Sequence, residues 1–420
     1  DAVLRRDEQN QPVCVSFLEK LLVPVLVKLT NFVPGGGIWM NTQRPEWNDA
    51  NNALVGFGLS MVTTSQLRRH LAFLEPVLRQ ASEQNIPISE PAIRLLQGVQ
   101  SILQESDDAI ERITASANER AGITLDLGAV GCEFRKTIYT GQTFDKTTVS
   151  CEQAADFCTL CLRWLDATIR TNLRADGLYN SYNVLQYDAS RTHFEVCNLS
   201  PMLEGQVAVL STGILSADEA EALLTALSNS RMYREDINSY LLYPDRKLPG
   251  FLDKGVVSPE QVECSALLKT MLEKQDTRLV ERDQQGTVRF QSNLTTPASV
   301  EDLLNTLRSD PELGKLAAAE AESIPALYEQ VFNHTEFTGR SGTMFGYEGL
   351  GSTYWHMISK LLLAAQESCI QYEQAPQSGQ LIDRYYQIRQ GLGFNKSPQE
   401  YGAFPTDPYS HTPAKGGAKQ

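Results

Sequence analysis

Apolar residues recur every three to four positions through most of this chain. That period, more than any other feature, limits what it can fold into. Helices are predicted at 14–30, 57–81, 89–118, 150–172, 216–229, 258–275, 299–309, 322–333, 349–371 and 379–391. Several carry start signals. Ser216 stands three residues before Glu219, the capping-box spacing. Ser258-Pro259-Glu260 puts proline at the first helical position, where a missing N–H costs nothing. Ser299 with Asp302 repeats the capping pattern more weakly. Strand-like patches are few, near 133–140, 192–197 and 286–291, and they read as hairpin excursions from a helical body. No repeat of fixed period and no low-complexity linker divides the chain before residue 391. The expected fold class is therefore all-α, with one helical body over residues 1–390.

The functional groups belong to the loops between those helices, since rigid elements commonly position reactive loops. The densest stretch is Trp47 to Asn52, where a tryptophan, a carboxylate (Asp49) and three amides (Asn48, Asn51, Asn52) follow the loop Val33-Pro34-Gly35-Gly36-Gly37 and Trp39. Aromatic plates stack on pyranose faces, amides bond to hydroxyls, and a carboxylate moves a proton. The glycines give backbone freedom and room for a ligand. An Asn/Asp helix cap beside a core tryptophan accounts for the same composition.

A second constellation, Gly339 to His356, is a glycine-rich loop entering an amphipathic helix. Glu348 stands at the start of that helix, where the dipole favours a carboxylate and suits it to act as a base. Arg340 and Thr343, with flexible glycines, have the chemistry to hold phosphate, and Tyr347 and Trp355 add aromatic surface. The segments 178–188, with Tyr182, and 231–246, with Asp236, are irregular and rich in Tyr, Asn, Asp and Arg, as sugar-lining loops are. Glu204 and Asp236 are reserve candidates for a second carboxylate.

Glu46-Trp47-Asn48-Asp49-Ala50-Asn51-Asn52 resembles the Asp-Trp-Asn-Asp-Gly-Met-Asn segment of the cellobiose phosphorylase family, departing at Glu46 and at Ala50-Asn51. The resemblance implies a general acid at Asp49 and an (α/α)₆ toroid, a barrel shared with glucoamylase-like inverting hydrolases. Under it, Glu348 resembles the general base of the hydrolases. An inverting glycoside hydrolase of glucose-like chains is the first expectation, its two carboxyls roughly 6.5–9.5 Å apart to admit water. A glycoside phosphorylase using inorganic phosphate, and a non-catalytic carbohydrate-binding protein, are the alternatives. A negative charge of Glu348 beside a phosphate dianion tilts the choice toward hydrolysis.

The net charge of −14 excludes little beyond nucleic acid and anionic membranes as partners. No run approaches roughly 18 apolar residues, so no membrane span is expected, and a cytoplasmic setting is. Cys158-Thr159-Leu160-Cys161 lacks a second ligand pair, so buried free thiols are expected rather than a metal, and no cofactor is expected. Both ends read as cuts in a longer protein. Trp47-Asn48-Asp49 comes early for a whole toroid, so missing helices would come from an absent region or another subunit, which leaves a homo-oligomer open. The aromatic, Pro-rich tail 391–420 is expected to lie extended across the barrel mouth.

Overall fold

The structure is a computed structural model that describes residues 6, 9–41, 54–81, 85–110, 112, 116–140, 144–245, 255–332 and 353–392. These fall into two compact units, one built from residues up to 245 together with 353–392, the other from 255–332.

The first unit opens with α1 (Phe17–Leu29), capped by Ser16, whose hydroxyl accepts from the Glu19 N–H. Two short strands follow, β1 (Phe32–Val33) and β2 (Gly37–Trp39), then β3 (Gly58–Ser60) and α2 (Met61–Gln80). Next come β4 (Asn85–Ser89), α3 (Glu90–Glu105), α4 (Ala117–Tyr139), β5 (Lys146–Ser150) and α5 (Cys151–Thr171). The hairpin β6 (Tyr182–Tyr187) and β7 (Phe194–Asn198) leads to α6 (Leu203–Leu210), α7 (Ala217–Ser228), β8 (Tyr233–Arg234) and β9 (Ser239–Tyr240).

The all-α expectation is wrong. Five strands form an antiparallel sheet in the order β1-β2-β3-β6-β7, with Phe32 opposite Ile38, Ile38 opposite Ser60, Ser60 opposite Tyr182 and Val184 opposite Cys197. A toroid made of helices alone is ruled out with it. These strands are two to six residues long, too short for most to display a period of two. The sheet also explains Gly35-Gly36-Gly37. Gly35 and Gly37 hold positive φ of 74° and 113° in the turn joining β1 to β2, a conformation that favours glycine. A Cβ on Gly36 would lie 2.5 Å from Leu59 Cδ1, so the space read as room for a ligand is filled by the protein's own core.

Three segments differ from the periodicity. Residues 133–140, expected as a strand, are the last turns of α4. The alternation is real in sequence, but on a helix it leaves Glu133 and Lys136 exposed beside half-buried Phe134 and Ile138. The predicted helix 89–118 stops at Glu105 and gives way to a 3₁₀ turn at Asp107–Ile110. α6 has no polar face, because all eight of its residues are buried, packed against both α2 and the later helix α13 (Trp355–Gln371).

The second unit has a three-stranded antiparallel sheet in the order β10-β12-β11, from β10 (Val256–Val257), β11 (Val280–Arg282) and β12 (Val288–Phe290). Five helices complete it: α8 (Pro259–Glu263), α9 (Ala266–Glu273), α10 (Pro297–Leu307), α11 (Gly314–Ala319) and α12 (Ser323–Phe332). Its core is its own, with Leu267, Met271, Phe290, Leu304 and Tyr328 at the centre. The chain then returns to the first unit through α13 (Trp355–Gln371) and α14 (Ser378–Gly391), which pack on each other and on α6 and α7. Residues 393–420, most of the tail expected over the barrel mouth, lie outside the described residues.

Candidate active site

Of the predicted site residues, Asp49, Trp47, Asn48, Asn51, Asn52, Glu348, Arg340, Thr343 and Tyr347 lie outside the described residues. Trp39, Tyr182, Asp236 and Trp355 are described, as is Glu204.

The ends that carry residues 42–53 are held together. The Met40 N–H donates to the Gly58 carbonyl at 2.8 Å, and the Gly56 N–H donates back to the Met40 carbonyl at 2.6 Å. Trp39 reinforces this closure. Its indole N–H donates to the Gly56 carbonyl at 3.1 Å and its ring meets Phe194 edge-on at 6.5 Å. The polar atom of Trp39 is therefore spent on the backbone, and its ring packs against the sheet.

The second feature is a buried polar pair. Tyr182, at the start of β6, is 2% exposed and donates its hydroxyl to Glu204 Oε2 at 2.9 Å. Glu204, in the first turn of α6, is 5% exposed. Burial pushes its carboxyl above the usual glutamate range, while the Tyr182 hydroxyl and the positive charge of Lys360 on α13 pull the other way. Burial prevails, and the carboxyl sits above its usual range. Ser181 fixes the geometry from one residue away. Its hydroxyl accepts the N–H groups of Met202 and Gly205, both at 3.1 Å, capping α6 from outside. Gln206 clasps Tyr179 through both backbone groups, at 2.7 and 2.8 Å.

Residues 178–183, expected to line sugar subsites, instead face inward. Tyr179, Asn180, Ser181 and Asn183 are all nearly or fully buried. Asn183 donates to the Gly36 carbonyl and to Asn172 Oδ1, both at 2.9 Å, tying the sheet to α5. Asp236 is exposed and paired with Arg234 through two hydrogen bonds, which hold its carboxyl below the usual range. Trp355 is half-buried against the core that contains Met357 and Ile358.

Two contributors escaped the sequence reading. Lys360 lies one turn beyond Trp355 on an amphipathic helix, with nothing in the pattern to set it apart. Arg120 is 7% exposed and donates to the carbonyls of Pro34 (2.8 Å) and Phe194 (2.7 Å), holding the β1–β2 turn to β7. Among the described residues, no three His, Cys, Asp or Glu side chains are grouped to hold a metal ion, and no helix is long and apolar enough to cross a membrane.

Residues 248–335 match the family described as GH149 phosphorylase insertion domain 2, about a fifth of the chain. The match encloses the whole described second unit, so the segment that resembles the insertion domain is also the one with its own core. No curated protein matches the chain. The match supports a carbohydrate-active family of the glycoside phosphorylase type, and it lends nothing directly to the hydrolase expectation.

Proposed function

We propose that this chain takes part in phosphorolysis of a glycosidic bond, with inorganic phosphate as the nucleophile. The similarity of residues 248–335 to a phosphorylase insertion domain carries this reading. The resemblance of Trp47-Asn48-Asp49 to the cellobiose phosphorylase segment points the same way. In the proposed reaction Asp49 protonates the departing glycosidic oxygen. Phosphate attacks the anomeric carbon from the opposite face, giving an inverted sugar 1-phosphate and a shortened chain. Arg340 and Thr343 hold the phosphate, the arginine through paired charge-assisted hydrogen bonds.

A protein base is not needed in this scheme, which removes the role first assigned to Glu348. Glu204, the reserve carboxylate, is buried and spends one oxygen on the Tyr182 hydroxyl. The decisive experiment incubates the purified protein with α- and β-linked gluco-oligosaccharides, with and without phosphate, and follows sugar 1-phosphate by phosphorus NMR. Product should form only with phosphate and vanish in Asp49→Asn. Reducing sugar released at equal rate without phosphate would restore the hydrolase.

A further inference from the structure

A cleft of about 300 Å³ opens between α1 and α2, its lining including Lys20, Pro24, Lys28, Gln66, Leu67 and His70. Its floor is apolar, and no carboxylate lines it. The ammonium groups of Lys20 and Lys28 have no ion-pair partner among the described residues, and both side chains are exposed. Such unopposed cationic edges contrast with a chain of net charge −14.

The helical period extends this surface. Phe17, Lys20 or Leu21, Pro24 and Lys28 share one stripe of α1, and Gln66, His70, Phe73 and Val77 share one stripe of α2. Phe17 is 76% exposed and Phe73 is 70% exposed, the kind of large apolar exposure that marks an interaction site when it is grouped. Pro24 adds a further feature, since it lacks the N–H that would have bonded the carbonyl of Lys20 inside the helix.

Charge selects the occupant. A second copy packing the same face against itself would set the ammonium groups of Lys20 and Lys28 against those of the other copy, which is repulsive. An anionic membrane is opposed by the charge of the whole chain. A small anion would engage one lysine only, because eight helical residues separate the two by about 12 Å. We propose that the α1–α2 cleft docks an acidic amphipathic helix of a partner protein, its apolar stripe on Pro24 and Leu67 and its carboxylates on Lys20 and Lys28.

The test is fluorescence anisotropy with an alanine-based helical peptide bearing leucines at i, i+4 and i+7 flanked by glutamates, alongside a twin with glutamine for glutamate. The glutamate peptide should bind wild-type protein and weaken as salt rises. Affinity should fall at least about tenfold for the twin peptide and for Lys20→Glu/Lys28→Glu, and stay unchanged in Lys136→Glu, at an exposed lysine that does not line the cleft. Absence of binding, or binding indifferent to charge reversal, overturns the proposal. So does equal binding of the unlabelled protein to anionic vesicles, or a wild-type dimer in sedimentation velocity that the charge reversal dissociates. None of these readouts requires catalysis.

Discussion

The Tyr182 hydroxyl and Glu204 Oε2 meet at 2.9 Å in a region where neither residue is more than 5% exposed. A carboxyl raised by burial holds its proton more tightly in the folded protein than in the unfolded chain. Its contribution to stability is complete below the ordinary glutamate value, about 4.3. It is lost as pH rises through the raised folded value. Glu204→Gln cannot ionise, so it should lie closer to wild type at pH 4 than at pH 7, and be the more stable of the two at pH 7. Urea midpoints measured for both proteins across that range test the sign. A parallel pH dependence in the two would show that Glu204 is not the titrating group.

Tyr182→Phe addresses the other partner. It leaves a buried acceptor without its donor, with an expected cost of about 1–3 kcal/mol. The loss should be smaller at pH 4, where Glu204 is neutral, than at pH 7. A variant as stable as wild type at both pH values would mean that another donor replaces the phenol.

Gly205 follows Glu204 because no side chain fits there. A Cβ would stand 2.1 Å from Ser181 Oγ and 2.8 Å from the Ser181 Cα. Since the backbone is one of the obstacles, rotating the serine does not relieve the clash. Gly205→Ala should destabilise by roughly 2–4 kcal/mol, as overpacking at a rigid contact does. Thermal unfolding reads this directly, and an unchanged midpoint would mean that α6 shifts freely.

Arg120 makes a different kind of tie. Its guanidinium reaches two carbonyls, that of Pro34 in the β1–β2 turn and that of Phe194 in β7, and burial lowers its pKa without taking its charge. Lysine carries the same charge but cannot fork to both. Arg120→Lys should cost about 2–3 kcal/mol, because at least one buried acceptor is left unmet. A loss below a few tenths in urea titration would show that water fills the gap.

What could be read from the sequence followed from how locally each signal acts. α7 and α8 begin where their caps predict, at Ser216, whose capping box with Glu219 is closed in both directions, and at Ser258, with Pro259 at the first helical position, whereas the cap of α10 stands three residues before the predicted Ser299, at Thr296. α6 was missed because a helix buried all round has no amphipathic period to detect. α4 was missed because Gly122, Gly128 and Gly131 lower helix propensity, and tertiary packing overrides it, with Gly131 set against Thr30. The five-stranded sheet depends on pairing between residues far apart, such as Ser60 with Tyr182, which no local window contains. At the candidate site, Glu204 was noted in sequence, but its partner Tyr182 was assigned to sugar. A residue type does not tell which way a side chain points. Asp49 and Glu348 lie outside the described residues.

The cysteines give the last prediction, because burial and titration separate them sharply. Cys158 and Cys161 sit one turn apart on α5 and are fully buried. Burial pushes the Cys158 thiol up to about 12, with the Glu75 charge adding to it, and holds Cys161 well above the ordinary thiol range too. Neither forms a disulfide, and with the thiolate as the reactive species both should be inert in the folded protein. Cys14, Cys132 and Cys264 are exposed. At pH 8 a disulfide-exchange reagent should label these three quickly, Cys197 and Cys369 slowly, and Cys151, Cys158 and Cys161 only after denaturant is added. Mass spectrometry of the labelled peptides identifies each site. Early labelling of Cys158 would mean that α5 opens locally far below the global unfolding free energy, and that the core joining α2 to α5 is looser than its packing indicates.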